Sequence, residues 1–598
     1  MSNKESWGSR VGLVLAMAGN AVGLGNFLRF PVQAVQNGGG AFILPYLICF
    51  LLMGIPLLYV EWAMGRFGGK SSHHSTPFIL NSMDKRPMWK YIGVFGIFTN
   101  VAVAAYYCYL ESWTLSYVYH SIVGSFSNFN QTEVAGFFES YTDIHTTTTG
   151  IPYENIVFWL VCLLLNTWIL SKGLSGGVEK TAKIGMPLLI IFGVFLAYKG
   201  ITLKAGENNA VYDGTVGLNY LWTPDYSSIW NFKVWLAAAG QIFFTLSLGM
   251  GSIHCYASYI KSKDDIALNS QSAGWMNEFV EVVLGSAILI PIGVGYLGID
   301  NIVEMTQNGG LGLGFKTLPY LFQQWGPSMA VIAGVMWFGL LFFAGITSSL
   351  AMGTPWMGFL EDEFNWKREK AAWSFGLVVL LLGLPTVLFY KEGVFDEYDY
   401  WAGTVSLVVF AFFEIILFSW VFGINKGWKE INEGADIKVP VAYKFIIKFV
   451  TPVFLGMVLF GSLPDIWNTI SHKNDKKEIA YLNDTRLIVS DGQAMRSKLP
   501  AEWSDSMIFK SNVMSNEQLT KEQKSQILDI RAFVNKYNKY ITPEIAVVEA
   551  PKRIKELEER MFYKNLSRPF LILIFLLIAW MVYIAHRKRT QHKPHKTA

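Results

Sequence analysis

Two amides, Asn20 and Asn26, flank a Gly23-Leu24-Gly25 step inside a stretch, 16–34, that is otherwise apolar enough to cross a bilayer, and the guanidinium of Arg29 follows them. Lipid cannot hydrogen-bond exposed backbone, so a break at membrane depth is tolerated only where it lines a cavity or is covered by protein. A second interruption runs from Gly240 to Gly251, where Gln241, Thr245 and Ser247 sit among glycines and aromatic residues. Broken helices offer two kinds of chemistry side by side. Their new N-termini carry free N–H groups that receive an anion such as a carboxylate. Their freed carbonyls coordinate cations, and breaks at corresponding positions of two halves point to a secondary transporter's site. Close small-residue packing explains a single glycine pair in a membrane helix. It does not explain two breaks, each beside amides or hydroxyls.

The elements that would position these residues are membrane spans. Of 598 residues 52% are hydrophobic and 16% charged, against about a quarter charged in a soluble protein. The net charge of +4 is small for this length and gives no reason to expect a nucleic-acid partner. Apolar runs of about 20 residues or more occur near 11–36, 41–65, 90–120, 154–171, 182–203, 229–260, 272–298, 328–360, 371–390, 397–424, 442–468 and 569–586. They predict an all-α polytopic membrane protein of twelve transmembrane helices. The two interrupted segments are the first and the sixth, each opening a group of five.

Basic residues cluster in 66–90, 172–183, 261–264, 361–370, 425–438 and the tail 586–589, whereas 121–154 holds no Lys or Arg. That asymmetry places both termini in the cytoplasm of a multi-pass protein of the cell (inner or plasma) membrane. The stretch 300–325 reads as an extracellular helical hairpin. Residues 471–564 form a hydrophilic insertion on the extracellular or periplasmic face, with helical spacing in 515–540 and 549–563. The resulting organisation is a transporter core over 1–440, an eleventh helix in 441–470, the insertion, and a last helix with a basic tail in 565–598. Cys49, Cys108, Cys162 and Cys255 lie in apolar segments and read as packing residues. The nine histidines form no metal-ligand spacing within a span, and no nucleophile motif occurs, so an enzyme is not expected.

Several motifs stand together in register: Gly19-Asn20-Ala21-Val22-Gly23-Leu24-Gly25-Asn26, Arg29-Phe30-Pro31, Asn37 to Phe42, Glu61-Trp62, Tyr106-Tyr107, Glu111 to Trp113, Gln241 to Gly249, Tyr256 to Tyr259, Asn277-Glu278 and Ala344 to Ser349. Over about 5–468 and again in the last helix, the chain resembles the neurotransmitter:sodium symporter family, especially its bacterial amino-acid members. The resemblance implies the leucine-transporter-type fold, two inverted five-helix repeats with helices 1 and 6 unwound. It implies a sodium-coupled symporter for neutral, hydrophobic amino acids, two bound Na+ ions, a lipid bilayer as surroundings and room for a homodimer. An amino-acid sensor on the same scaffold is the alternative.

Carried over residue by residue, the resemblance gives a first sodium site of Ala21, Asn26, Thr245, Asn277 and the substrate carboxylate. A second has the carbonyls of Gly19, Val22 and Ala344 with the hydroxyls of Thr347 and Ser348. The substrate amino group would meet carbonyls around Asn20, Ala21, Phe244, Thr245 and Ser247. Its carboxylate would meet the N–H groups of Leu24 and Gly25 and the hydroxyl of Tyr107. Val103, Tyr107, Phe244, Ser247, Met250, Ser348 and Met352 would enclose the side chain. Met250 and Met352 stand where the family member has Phe and Ile; flexible methionines suggest a broader pocket, for aromatic as well as aliphatic side chains. Arg29 and Asp399 match the outer gate. Lys4, Trp7, Ser258, Tyr259 and Asp362 match the inner one, with Lys4 in place of an Arg. Glu281 stands where chloride-dependent members carry a small hydroxyl, which implies chloride independence with a carboxylate that balances charge and can carry a proton.

Overall fold

The structure, a computed structural model, describes residues 5–144, 151–306, 309–491 and 543–591. Lys4 and the expected helix at 515–540 lie outside the described residues. Among the described residues regular structure is helical throughout, with no strand.

Among the described residues ten helices are long and apolar enough to cross a membrane, or eleven if one bent pair is a single span. That pair is α1 (Arg10–Ala21) and α2 (Leu24–Gln36), which meet at 47°. There follow α3 (Gly40–Gly69), α4 (Pro87–Val123), α5 (Tyr153–Ser171) and α6 (Leu174–Ile201). The expected span at 229–260 is instead divided into α7 (Phe232–Thr245), too short to qualify, and α8 (Ser252–Ala257). Next come α9 (Ile266–Leu297), α10 (Pro327–Phe364), α11 (Arg368–Leu388), α12 (Val394–Val421) and α13 (Ala442–Ile470). The last two helices described are α14 (Lys473–Asp491) and α15 (Pro543–Gln591). The expected hairpin at 300–325 is a run of short helices between Ile299 and Gln323.

Burial sorts the spans. The apolar window of α9 is 89% buried, that of α13 only 22%. A helix apolar all round and wrapped by neighbours belongs to the centre; one that shows Met457 and Phe460 outward faces lipid. The residues around both interruptions, Asn20 to Asn26 and Thr245 to Gly251, are buried apart from the half-buried Ser247.

Each break has a local cause. At the first, Val22 and Gly23 leave helical dihedrals for extended ones. A side chain at Gly23 would place Cβ 2.7 Å from the Tyr107 hydroxyl, so glycine is needed for that approach. At the second, Ser247, Gly249 and Gly251 take φ of +54°, +67° and +92°, and three left-handed residues in five end any right-handed helix. Ser247 is the non-glycine among them, and such strain collects at functional sites.

The chain divides into two compact units. The larger holds Met1–Tyr390, Val394–Gly461 and Ser567–Ala598. The smaller holds Lys391–Gly393 and Ser462–Leu566. Within it α14 lies against the first part of α15 through Arg553–Glu478 at 3.1 Å and Lys564–Asp475 at 3.4 Å. The expected helix at 549–563 is part of α15.

Candidate functional site

The two breaks are stitched to each other. Ser247 Oγ donates to the Asn20 carbonyl at 3.0 Å, and Ser252 Oγ donates to Asn20 Oδ1 at 3.1 Å. Across from them, the Leu24 N–H donates to the Tyr107 hydroxyl at 3.1 Å. Between these contacts lies a cavity of about 40 Å3 lined by Asn20, Ala21, Gly25, Val103, Tyr107, Phe244, Thr245, Ser247, Met250, Ser348 and Met352. Leu24 alone of the expected substrate residues lines the neighbouring outer vestibule instead. No charged side chain lines the cavity.

Asn26, Thr245 and Asn277, from three helices, converge beside this cavity. Asn26 Nδ2 donates to Thr245 Oγ1 at 3.0 Å and to Asn277 Oδ1 at 2.8 Å, while its Oδ1 accepts the Gly23 N–H at 2.8 Å. Three buried hard-oxygen side chains within hydrogen-bond reach of one another can share a cation. Their neighbour is Glu281, fully buried, whose carboxylate accepts from the Tyr46 hydroxyl at 2.9 Å, from Asn277 Nδ2 at 3.4 Å, and from Gln241 Nε2 and the Thr245 hydroxyl. Tyr46 also reaches Glu278 at 3.3 Å, a second buried carboxylate to which sequence reasoning gave no role.

On the other side of α1, Ser348 Oγ donates to the Gly19 carbonyl at 3.1 Å and to the Val22 carbonyl at 3.4 Å. Thr347 turns back on its own helix, donating to Phe343 O at 2.8 Å and Ala344 O at 3.3 Å. Gly19 lets α1 and α10 touch here, since a Cβ on it would lie 2.8 Å from Thr347 Cβ. The five residues expected at the second sodium site are thus brought to one seam.

The outer gate residues share a vestibule but do not pair: among the described residues no ion pair joins Arg29 to Asp399. Arg29 lies 4.3 Å above the Phe244 ring, and Asp399 accepts the Tyr106 hydroxyl at 2.7 Å.

At the opposite end of the bundle, Trp7 Nε1 donates to the Tyr256 carbonyl at 3.1 Å. Ser258, Tyr259 and Asp362 are joined through a residue that sequence reasoning missed, His74. Its Nδ1 lies 2.8 Å from Ser258 Oγ, its ring stacks on Tyr259 at 4.1 Å, and its backbone N–H donates to Asp362 at 2.7 Å. Glu5 and Arg368, 3.7 Å apart, complete this end. No local pattern marks His74, because its partners are far along the chain.

The family description "Sodium:neurotransmitter symporter family" matches residues 4–135 and 124–474. A sodium-dependent transporter of Methanocaldococcus jannaschii is 31% identical over 468 residues, covering 76% of this chain and 90% of its own. The sodium-dependent nutrient amino acid transporter 1 of Drosophila pseudoobscura pseudoobscura is 23% identical, covering 78% of this chain and 76% of its own. Among solved structures, that of MhsT in complex with L-phenylalanine is similar with a TM-score of 0.67 and 27% identity, over 77% of this chain and 100% of MhsT. With its many apolar helices and these relatives, the chain is a multi-pass membrane protein of a transporter family, not an enzyme family, and it belongs to the sodium:neurotransmitter symporter family.

Proposed function

We propose that the chain imports neutral, hydrophobic amino acids, aliphatic and aromatic, by sodium-coupled alternating access that does not need chloride. The observation that carries this reading is the seam of the two breaks. One cavity without charged side chains has helix N–H groups on one side and the Asn26–Thr245–Asn277 oxygens on the other. A zwitterion fits that arrangement. Its carboxylate meets the Leu24 and Gly25 N–H groups and Tyr107, its amino group meets carbonyls from Asn20 to Ser247, and a Na+ at Ala21, Asn26, Thr245 and Asn277 shares the carboxylate. Substrate and ion complete each other's sites, so each raises the other's affinity by the same factor. A second Na+ among Gly19, Val22, Ala344, Thr347 and Ser348 ties α1 to α10 and holds the pathway open to the outside. The name of MhsT's bound ligand, L-phenylalanine, supports an aromatic side chain in a Met-lined pocket.

The two broken pairs count as single spans in this reading, giving twelve, arranged as two inverted five-helix repeats with both termini cytoplasmic. Arg29 and Asp399 then gate the outside, and Trp7, Ser258, Tyr259 and Asp362 the inside.

Uptake of labelled leucine and phenylalanine into proteoliposomes under an inward sodium gradient tests the proposal. Accumulation that collapses when potassium replaces sodium is expected; binding without accumulation would assign a sensor instead. Replacing chloride with gluconate should leave the rate unchanged, because the Glu281 carboxylate already supplies the buried negative charge. Glu281→Ser should make uptake depend on chloride, by about tenfold if the missing charge is worth about 1.4 kcal/mol. Chloride dependence of the unaltered protein would overturn this part.

Side-chain selectivity should reside in the methionines. Met352→Ala removes bulk equal to several methylenes, each worth about 1–3 kcal/mol of discrimination. The ratio of tryptophan to leucine uptake is therefore expected to rise by at least about tenfold, read from competition curves, with sodium half-saturation unchanged.

A further inference from the structure

His254 on α8 lies between two carboxylates from different helices. Its Nδ1 is 3.5 Å from Glu61 Oε2 on α3, and its Nε2 is 3.2 Å from Glu414 Oε1 on α12. All three side chains are fully enclosed, at 0% exposure. The other Glu61 oxygen accepts the Gly249 N–H at 2.7 Å, which ties the group to the second helix break. Both ring nitrogens, Glu61 Oε2 and both Glu414 oxygens form no well-aligned hydrogen bond with any protein group. The Phe410 ring, 6.1 Å away, adds an apolar wall. Histidine spacing along the sequence does not disclose this cluster, because its members come from three separate helices.

With two carboxylates and a neutral imidazole the cluster carries charge −2 inside the bundle, where all three side chains are at 0% exposure. Among the described residues no Lys or Arg pairs with Glu61 or Glu414. Arg66, also on α3, is spent on Glu430 and on the Asp264 and Glu433 carbonyls, and Lys70 is spent on Glu430 and Glu433. On α10, Glu361 faces Arg368, Asp362 holds the His74 N–H and Glu363 holds Arg589. Arg10 on α1 faces Asp265 and Asp436. On α4, Glu111 accepts from Asn166 and Ser349. Elsewhere on α12, Glu397 pairs with Arg568 and Asp399 with Tyr106. The helix Thr76–Met83, which also packs on α8, has no titratable side chain.

An unpaired buried carboxylate costs several kcal/mol and is neutralised instead. Two protons shared among the three groups bring the charge to zero. From this geometry we infer that Glu61, His254 and Glu414 form a proton-binding site, distinct from both sodium sites, that is loaded while α8 is packed against α3 and α12. Separation of α8 would admit water, let the carboxylates ionise and release the protons. The packed arrangement binds more protons than the separated one, so acid favours packing and rising pH favours opening. Sodium-driven cycling should therefore slow at acid pH, by up to about tenfold per pH unit for each proton linked.

The test uses the full chain in lipid, with H254Q and E414Q, which keep shape and remove titration. Infrared difference spectra across about pH 5 to 8 should show a carboxylic-acid C=O band in the unaltered protein. E414Q should remove or shift it, and both variants should flatten the acid inhibition of uptake. If one variant does not fold, the other and E61Q carry the same comparison. An unchanged band and an unchanged pH profile in folded variants would overturn the inference. So would stabilisation of the unaltered protein by micromolar Zn2+ that H254Q abolishes, since that outcome assigns the cluster to a metal. The infrared readout needs no transported substrate, so it stands or falls apart from the proposed amino-acid import.

Discussion

Sodium-driven uptake should fall by about 100-fold when Asn26 is replaced by Leu, and the rise in melting temperature expected from sodium should disappear. The amide makes three buried contacts: it accepts from Gly23 and donates to Thr245 and Asn277. Leucine has similar bulk, so the variant keeps the packing and loses only polar function. Each buried partner left unsatisfied costs about 1–3 kcal/mol, and two such losses amount to about 3 kcal/mol, or two decades in affinity. The loss has two parts that can be separated. Orphaning the Gly23 N–H lowers stability in any medium, whereas losing an oxygen ligand lowers stability only where sodium was bound. Melting in sodium and in potassium distinguishes them: the gap between the two curves should close in N26L and persist in N26D, which keeps an oxygen. A folded N26L protein with an unaltered sodium half-saturation would remove Asn26 from the cation site.

Gly249→Ala has the largest expected effect on folding. At this position φ is +67°, which costs a residue with a Cβ about 1–2 kcal/mol. The new carbon would also lie 2.1 Å from the Leu407 carbonyl oxygen and 3.1 Å from Ala411 Cβ. Backbone cannot swing aside as a side chain can, and overpacking of this kind costs about 1–3 kcal/mol. Together these terms remove much of a typical stability margin of about 5–15 kcal/mol, and they displace the N–H that Glu61 accepts. G249A should yield little folded protein and no uptake. Gly240→Ala is the control. A Cβ there meets nothing within 4 Å, it stands inside helix α7, and alanine favours a helix by up to about 1 kcal/mol. If G249A melts with G240A, the close approach of the break to α12 is not what demands glycine.

The breaks were legible in the sequence because their signal is local. Glycines, amides and hydroxyls inside an apolar run contradict its surroundings within a few residues of each other. The division of 229–260 into α7 and α8 follows from that signal, yet its placement depends on Ser247, Gly249 and Gly251 taking left-handed dihedrals, which only the packed backbone displays. What escaped sequence reasoning was long-range pairing. His74 meets Ser258, Tyr259 and Asp362, and His254 meets Glu61 and Glu414, across helices with no shared periodicity. The family resemblance matched Arg29 and Asp399 to an outer gate pair, but nearer partners compete. An aromatic face is available to the guanidinium and a phenol to the carboxylate.

That competition gives the outer vestibule the logic of an interlock. Arg29 lies over the Phe244 ring, a contact worth about 0.5–2 kcal/mol depending on exposure, and both Arg29 and Asp399 are half-buried. In the proposed gate, exchanging that contact for an ion pair with Asp399 would switch the vestibule between its two states. The ring under Arg29 is also a wall of the cavity. A guest that tilts Phe244 would therefore loosen the arginine and free it for Asp399, and the door would shut because something had come in.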